Sequence, residues 1–208
     1  EPWPWEEHHQ QTDRTGTMAF HSRFNAEFSN EEAESGSSSR FLCGCPVLEY
    51  STTGRGGSSS SRVGRGEDES SFDIVEEALY YFRANVFFRN YKLEGPADRV
   101  LLYLTMYISY VLKKLEATSS MEEKKKILQS IAVEGFMVPG DNGFPLNGFI
   151  FTSNVAREKE AWKNYIKGLR EETSIRLGER YFLADGSINK FWACFAKRKF
   201  MNQSLMRF

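Results

Sequence analysis

Residues 96–115, PADRVLLYLTMYISYVLKKL, carry an apolar pattern that predicts a long helix. Five apolar residues recur there at alternating steps of three and four, which is the spacing of one helix face. They are Leu101, Leu104, Ile108, Val111 and Leu115. Pro96 suits the first turn, where a missing backbone N–H costs nothing. Residues 97–115 would span roughly 28 Å as a helix, enough for the central element of a small bundle.

Patterns on both sides of this segment predict further helices near 73–86, 120–131 and 154–177. The first two begin at Asp73 and Ser120, each followed three residues later by Glu, which is the spacing of a capping box. Residues 138–148 contain two prolines and three glycines and should form a long irregular loop. We therefore expect an all-α fold of about five helices packed as a small bundle, with this Pro/Gly loop and a flexible N-terminal leader. Short strands at 149–151 or 181–183 remain possible.

Composition divides the chain into three parts. Residues 72–208 form the expected helical domain. Residues 18–71, the leader, are rich in Ser, Gly and charge and bury too little apolar surface to offset the entropy of ordering. An apolar island at 41–48 interrupts the leader and could dock on the domain. Residues 1–17 precede an internal methionine, Met18, and are expected to be an extraneous or upstream segment.

The inventory of reactive side chains favours binding over catalysis. All three histidines lie in residues 1–71, as do two of the three cysteines, and the third is Cys194. The expected domain therefore lacks the commonest general base and metal ligand. Cys43 and Cys45 are separated by one residue, whereas structural zinc sites usually need two to four. We find no nucleotide-binding loop, and we expect no cofactor and no metal.

The charge distribution also limits the partners. The net charge of −1 gives no bias toward nucleic acid or an anionic membrane. We see no signal peptide and no apolar run long enough to span a bilayer, so we expect a cytoplasmic protein. The C-terminal residues 187–208 are basic and contain no acid. They suggest a polar partner surface, although a simply solvated terminus would have the same composition.

A cluster of aromatic and basic residues in this C-terminal part is the candidate partner-binding site. Aromatic and arginine side chains are common energetic centres of protein interfaces. The candidate residues are Phe191, Trp192, Lys197, Arg198 and Lys199. The competing interpretation is that the rings pack in the core and the basic residues are merely exposed.

Several motifs, taken in order, resemble a known family. They lie at residues 73–78, 81–91, 97–99, 102–108, 138–146, 169–173 and 195–205. Together they resemble the 21 kDa subunit (subunit 3) of the actin-related protein 2/3 complex. Met18 to Ser22 is also similar to a family start. Two features depart from the family pattern: residues 50–71 are rich in Ser, Gly and Arg, and Phe191-Trp192 stands where many members have a Trp pair.

The resemblance implies a mostly helical, non-catalytic structural subunit of a seven-subunit complex that nucleates branched actin filaments. In the family this subunit packs mainly against actin-related protein 3, and ATP is bound by the actin-related subunits. It implies contact with actin filaments through the complex and a location in the actin-rich cortex and cell projections. It implies no nucleic acid and no membrane partner.

An RNA-binding accessory protein is the alternative. Gly54-Arg55-Gly56-Gly57 and Gly64-Arg65-Gly66 are similar to arginine–glycine segments that bind RNA phosphates. Together with the basic C-terminal tail they could provide weak RNA binding. The acidic residues 67–69 that follow oppose it.

Overall fold

Six α-helices and two short strand pairs form the part of the chain described by the structure, a computed structural model covering residues 10–12, 18–35, 39–52, 72–198 and 200–202. The helices are α1 (Asn30–Ser35), α2 (Ile74–Asn85), α3 (Ala97–Glu116), α4 (Met121–Ser130), α5 (Ala156–Tyr181) and α6 (Lys190–Ala193). The strands are β1 (Gln10–Thr12), β2 (Met18–Phe20), β3 (Phe41–Leu42) and β4 (Cys45–Pro46). Two 3₁₀ helices lie at Arg23–Glu27 and Phe200–Asn202.

The central position predicted for α3 is confirmed. The five apolar residues of its repeating pattern have no solvent exposure at all. α3 contacts α2, α4, α5 and α6, so it forms the axis of the bundle. Burial of each such side chain stabilises the fold by roughly 1.5–3 kcal/mol relative to exposure.

Two of the predicted helix starts are confirmed. The Asp73 carboxylate accepts hydrogen bonds from the backbone N–H groups of Val75 and Glu76 at 3.1 and 3.0 Å, and the Ser120 hydroxyl accepts from Glu123 N at 3.5 Å. These bonds satisfy amides that have no partner within the helix. The fourth predicted helix is α5, which ends at Tyr181 rather than near residue 177.

A buried arginine links the start of α2 to α5. Arg176 donates to both carboxylate oxygens of Asp73, at 2.8 and 2.7 Å, and its Nε donates to Glu172 at 2.7 Å. Its Nη2 also donates to the carbonyl of Ser51 at 2.7 Å. Because a bidentate arginine–carboxylate pair fixes both distance and orientation, this contact sets how α2 lies against α5.

The expectation of a flexible leader is not met by residues 18–35 and 39–52. Ala19, His21 and Cys45 are completely buried, and β2 and β4 pack against α2 and α3, respectively. Carboxyl groups of three helices accept hydrogen bonds from the leader. Glu77 of α2 and Asp98 of α3 accept from residues 21–23, as described below, and Glu158 of α5 accepts from Cys43 N at 2.7 Å. Residues 53–71 lie outside the described ranges, so the boundary at residue 72 stays a prediction.

The short strands are few and lie mostly outside the places left open by the sequence. β1 pairs with β2 and β3 with β4, both antiparallel. β1 therefore lies within residues 1–17, the segment expected from the sequence to be extraneous or upstream. Near residues 181–183 a single bridge joins Phe182 to Ile188. No helix in the described ranges is long and apolar enough to cross a membrane.

Candidate interaction surface

The predicted site residues lie on and after α6, at the end of α5. Asn189 holds α6 in place, since its Oδ1 accepts from Phe191 N at 3.0 Å and its Nδ2 donates to the Arg180 carbonyl at 3.1 Å. Its own backbone N–H donates to the Tyr181 carbonyl at 2.8 Å. The short helix therefore has a fixed orientation relative to the last turn of α5.

Trp192 lies in the core. It is 7% exposed, and its ring stacks on Phe82 of α2 with centroids 5.8 Å apart and planes 17° from parallel. A side chain buried in this way supports the surface from beneath and has little area left to contact a partner. For Trp192 the structure therefore agrees with the competing interpretation of the sequence.

Phe191, the neighbouring residue, points to solvent and belongs to a group of aromatic and arginine side chains. Phe191 is 56% exposed and Phe87 is 47% exposed. Phe195 lies between them, with ring centroids 6.5 Å and 6.0 Å away, respectively. The guanidinium of Arg83 covers Phe191 at 4.7 Å, and that of Arg198 covers Phe87 at 5.1 Å. We call these five residues the aromatic patch.

The two remaining basic candidates differ in what the structure shows. The Lys197 side chain is 85% exposed, and its ammonium is 4.0 Å from the carboxylate of Glu116, a distance at which a surface ion pair contributes about 0–1 kcal/mol. Lys199 lies outside the described residues. The candidates from the sequence did not include Arg83, Phe87 or Phe195, although the Phe87-Phe88 pair, one residue after the end of α2, was a visible signal.

A second cluster holds the leader on the body, and we call it the leader anchor. Asp98 accepts from His21 Nδ1 and from Ser22 N, both at 2.7 Å. Glu77 accepts from Ser22 Oγ at 2.7 Å and from Arg23 N at 2.8 Å. Burial raises the pKa of Glu77 to about 8, so near neutral pH this carboxyl is largely protonated.

The His–Asp contact of the leader anchor has the geometry of a catalytic pair but not its access. His21 and Asp98 both have no solvent exposure, and the nearby Ser22 hydroxyl donates its hydrogen to Glu77. A general base must reach a proton of the substrate, and a fully buried imidazole cannot. The anchor therefore serves to position the leader.

The two leader cysteines are also structural in character. Burial raises the pKa of the Cys43 thiol to about 11 and that of the Cys45 thiol to about 12. Metal binding and nucleophilic attack both require the thiolate, which is scarce at such pKa values. Among the residues that the structure describes, no group of three or more His, Cys, Asp or Glu residues could hold a metal ion.

These features define a class of protein: a small helical body whose exposed aromatic and arginine side chains suit it to bind another protein. The comparison with known families then gives the particular group. The family model described as "P21-Arc: ARP2/3 complex ARPC3 (21 kDa) subunit" matches residues 17–205, and the chain belongs to this family. The match includes the whole leader, residues 18–71, and the helical body up to residue 205.

Curated relatives carry the same description. A protein of Arabidopsis thaliana named "Actin-related protein 2/3 complex subunit 3" is 40% identical over 185 residues, which cover 89% of this chain and 98% of the relative. The protein of that name from Dictyostelium discoideum is 38% identical over 189 residues, covering 90% and 100%. The one from Saccharomyces cerevisiae is 40% identical over 141 residues, covering 65% and 79%. The resemblance seen in the sequence motifs is confirmed.

Proposed function

We propose that this chain is a non-catalytic structural subunit of the actin-related protein 2/3 complex and packs against actin-related protein 3. In that role it contributes to nucleation and branching of actin filaments, in the cytoplasmic actin cytoskeleton. Membership of the ARPC3 family supports the subunit role. The mechanism would be rigid complementarity, in which a fixed helical body favours one arrangement of its neighbours.

The aromatic patch is the observation that supports our choice of the partner-binding surface. Phe191 and Phe87 are each about half exposed, and a guanidinium group lies over each ring. Aromatic and arginine residues dominate the energetics of protein interfaces, and arginine–ring stacking pre-orders the side chains before binding. We place the partner contact on this patch, with the exposed Lys197, next to Arg198 in the sequence, adding positive charge. Lys199, which lies outside the described residues, stays a candidate from the sequence alone.

The non-catalytic part of the proposal rests on burial. The candidate acid–base residue His21 is enclosed, and Cys43 and Cys45 are kept as thiols by burial. Cys194 is exposed, but a single exposed cysteine does not by itself define an active site, since a nucleophilic thiol needs a neighbouring group that stabilises the thiolate. The ATP chemistry of the assembly would belong to its actin-related subunits.

The RNA-binding alternative gains nothing from the comparisons. Its arginine–glycine segments, at residues 54–57 and 64–66, lie outside the described residues. The matching proteins are named as subunits of the actin-related protein 2/3 complex and not as RNA-binding proteins.

The experiment compares assembly of the full-length chain and of two patch variants with the other six subunits. The Phe87→Ala/Phe191→Ala variant removes the exposed rings. The Lys197→Glu/Arg198→Glu variant reverses the adjacent charge. Hot-spot truncations cost about 2 kcal/mol or more, so we expect affinity for actin-related protein 3 to fall by about 30-fold or more in the first variant. Branching activity of the reconstituted complex should fall in parallel.

Val155→Ala is the matched control. Val155 is 58% exposed and precedes α5 at the end opposite to α6, about 39 Å away along the helix. It should assemble like the wild type. Normal assembly of both patch variants would exclude the patch as the contact. Failure of the wild-type chain to co-purify with any actin-related protein would refute the subunit role itself.

A further inference from the structure

A cavity between α3, α5 and residues 134–137 is not used by the proposed subunit contact. Its volume is about 260 Å³. Five aromatic rings line it, together with three charged side chains. The rings are those of Tyr103, Tyr107, Tyr110, Phe136 and Phe144. A cavity of about 150 Å³ is sufficient to bind benzene, so this one can hold a ring with a small substituent.

Arg170 of α5 gives the cavity its chemistry. The residue is 3% exposed, and its guanidinium is covered on its faces by Phe136 and Tyr107, with centroids 4.2 and 4.7 Å from Cζ. Its Nη2 donates to the carbonyl of Ile131 at 2.7 Å. Its Nε is buried and has no hydrogen-bond partner within the described residues.

The charge of Arg170 is also not matched by a carboxylate. None of the ion pairs in the described part of the chain involves it. A buried charge that lacks a counter-charge is costly, and cation–π contacts offset only part of that cost. A carboxylate that reaches the edge of the guanidinium would supply both a hydrogen-bond acceptor for Nε and the missing negative charge.

The other charges of the cavity are arranged around its opening. Glu134 is exposed and accepts from the Tyr110 hydroxyl at 3.3 Å. Lys114 is half-buried, with its ammonium 5.6 Å from the Tyr110 ring centroid. The balance of lining charges is two positive to one negative, and the one acid is exposed to water, whereas Arg170 is buried.

We propose that this cavity binds a carboxylate attached to a single aromatic ring, with the carboxylate on the edge of Arg170 and the ring among Tyr103, Phe136 and Phe144. Such a group is carried by small aromatic acids and by acidic, aromatic peptide segments. The proposal does not depend on the aromatic patch or on the subunit role.

The test uses phenylacetate and its uncharged analogue phenylacetamide as probes, with saturation-transfer NMR on the purified full-length chain. The acid should bind and the amide should bind about tenfold more weakly, because a charge-assisted contact is lost. Met137→Trp, which fills the cavity, should abolish binding of both probes. Arg170→Lys, which keeps the charge but loses the planar fork, should weaken the acid by about tenfold.

Lys114→Gln and Lys113→Gln form a matched pair on adjacent positions of α3. Lys114 lines the cavity and Lys113 does not. Only the Lys114 variant should lower the affinity for the acid. Circular dichroism is used to check that each variant is folded. If Arg170→Lys is unfolded, the Lys114→Gln variant still tests whether positive charge in the cavity contributes to binding of the acid. Equal binding of acid and amide, or unchanged binding to Met137→Trp, would overturn the proposal.

A last arm separates the two sources of the ligand. The same titration is repeated on the assembled complex. A signal that persists there supports a free aromatic acid as the ligand. A signal that disappears on assembly, and returns when the subunit is released, supports a segment of a neighbouring subunit that fills the same cavity.

Discussion

Removal of the Asp98 carboxylate should release the leader from the body. Three hydrogens point to this side chain: His21 Nδ1–H at 2.7 Å, Ser22 N–H at 2.7 Å and Glu94 N–H at 2.9 Å. All three are held at a residue with no solvent exposure. In Asp98→Ala the His21 and Ser22 donors lose their acceptor in a buried place, whereas Glu94 is exposed and its N–H can bind water instead.

The expected loss follows from these contacts. A buried donor left without a partner costs about 1–3 kcal/mol, so the two buried donors, on His21 and Ser22, together cost about 2–6 kcal/mol. The variant can avoid part of this free-energy loss by local opening. Residues 18–25 then detach from the body, and water binds to the donors of His21 and Ser22. The loss should therefore appear as local opening of the leader, with the bundle around α3 still folded.

Hydrogen exchange measures this opening directly. In Asp98→Ala the amides of Phe20, Ser22 and Arg23 should lose protection by about 100-fold, which corresponds to about 3 kcal/mol. The amides of α3 should change little. Asp98→Asn retains one acceptor and should lose about tenfold, and the exposed Asp185→Ala should lose none. Unchanged protection of Ser22 in Asp98→Ala would refute the reasoning.

Two further changes test the core and the buried acid. Glu77 has a folded pKa of about 8 against an ordinary value of 4.5, so its contribution to stability is fully present below about pH 4.5 and is lost as the pH rises toward 8. The free energy of unfolding of Glu77→Gln, measured by urea denaturation, should therefore rise relative to that of the wild type between about pH 5 and 8, by up to a few kcal/mol. A difference between the two proteins that does not change with pH would contradict this. Trp192→Ala removes the ring stacked on Phe82 and should lower the free energy of unfolding by about 3–5 kcal/mol, whereas a loss below about 1 kcal/mol would show that the ring is not part of the core.

The helices were predictable because their signals are local and repeated. The apolar face of α3 recurs over five positions, and the caps at Asp73 and Ser120 need only a partner three residues away. Each of these signals concerns neighbours within one element. For these four helices the structure changes only the bounds, as in α5, which continues to Tyr181. The short helix α1 and the two strand pairs were not predicted.

The docking of residues 18–35 was not predictable from such signals, whereas the apolar island at 41–48 did indicate docking and is largely buried. The first of these two parts of the leader is held by hydrogen bonds between residues far apart in sequence, such as those of Ser22 with Asp98 and with Glu77. Composition indicates how much apolar surface a segment can bury, but it does not indicate that two buried carboxylates will accept its hydrogens. The polar character of residues 18–35 therefore led to the wrong expectation.

The burial of the candidate residues could not be predicted from sequence alone, because it also depends on contacts between elements. Phe191 and Trp192 are adjacent, and on a helix of only four residues no repeat distinguishes the inner face from the outer one. Their different burial depends on Phe82 of α2, which occupies one side. Arg83 and Phe87 join the patch from α2 and the turn after it, a juxtaposition that only the packing of α6 against α2 creates.

The leader and the aromatic patch are connected through the end of α2. Asn85, its last residue, accepts from Phe20 N at 2.8 Å and donates to the Phe20 carbonyl at 3.0 Å. Phe88, three residues later, accepts at its carbonyl from Met201 N at 3.0 Å. Segments from both ends of the described chain thus hold the turn that carries Phe87. A partner that binds the patch therefore contacts a surface whose geometry depends on a docked leader, which gives a physical reason for the leader and the helical body to form one structural unit.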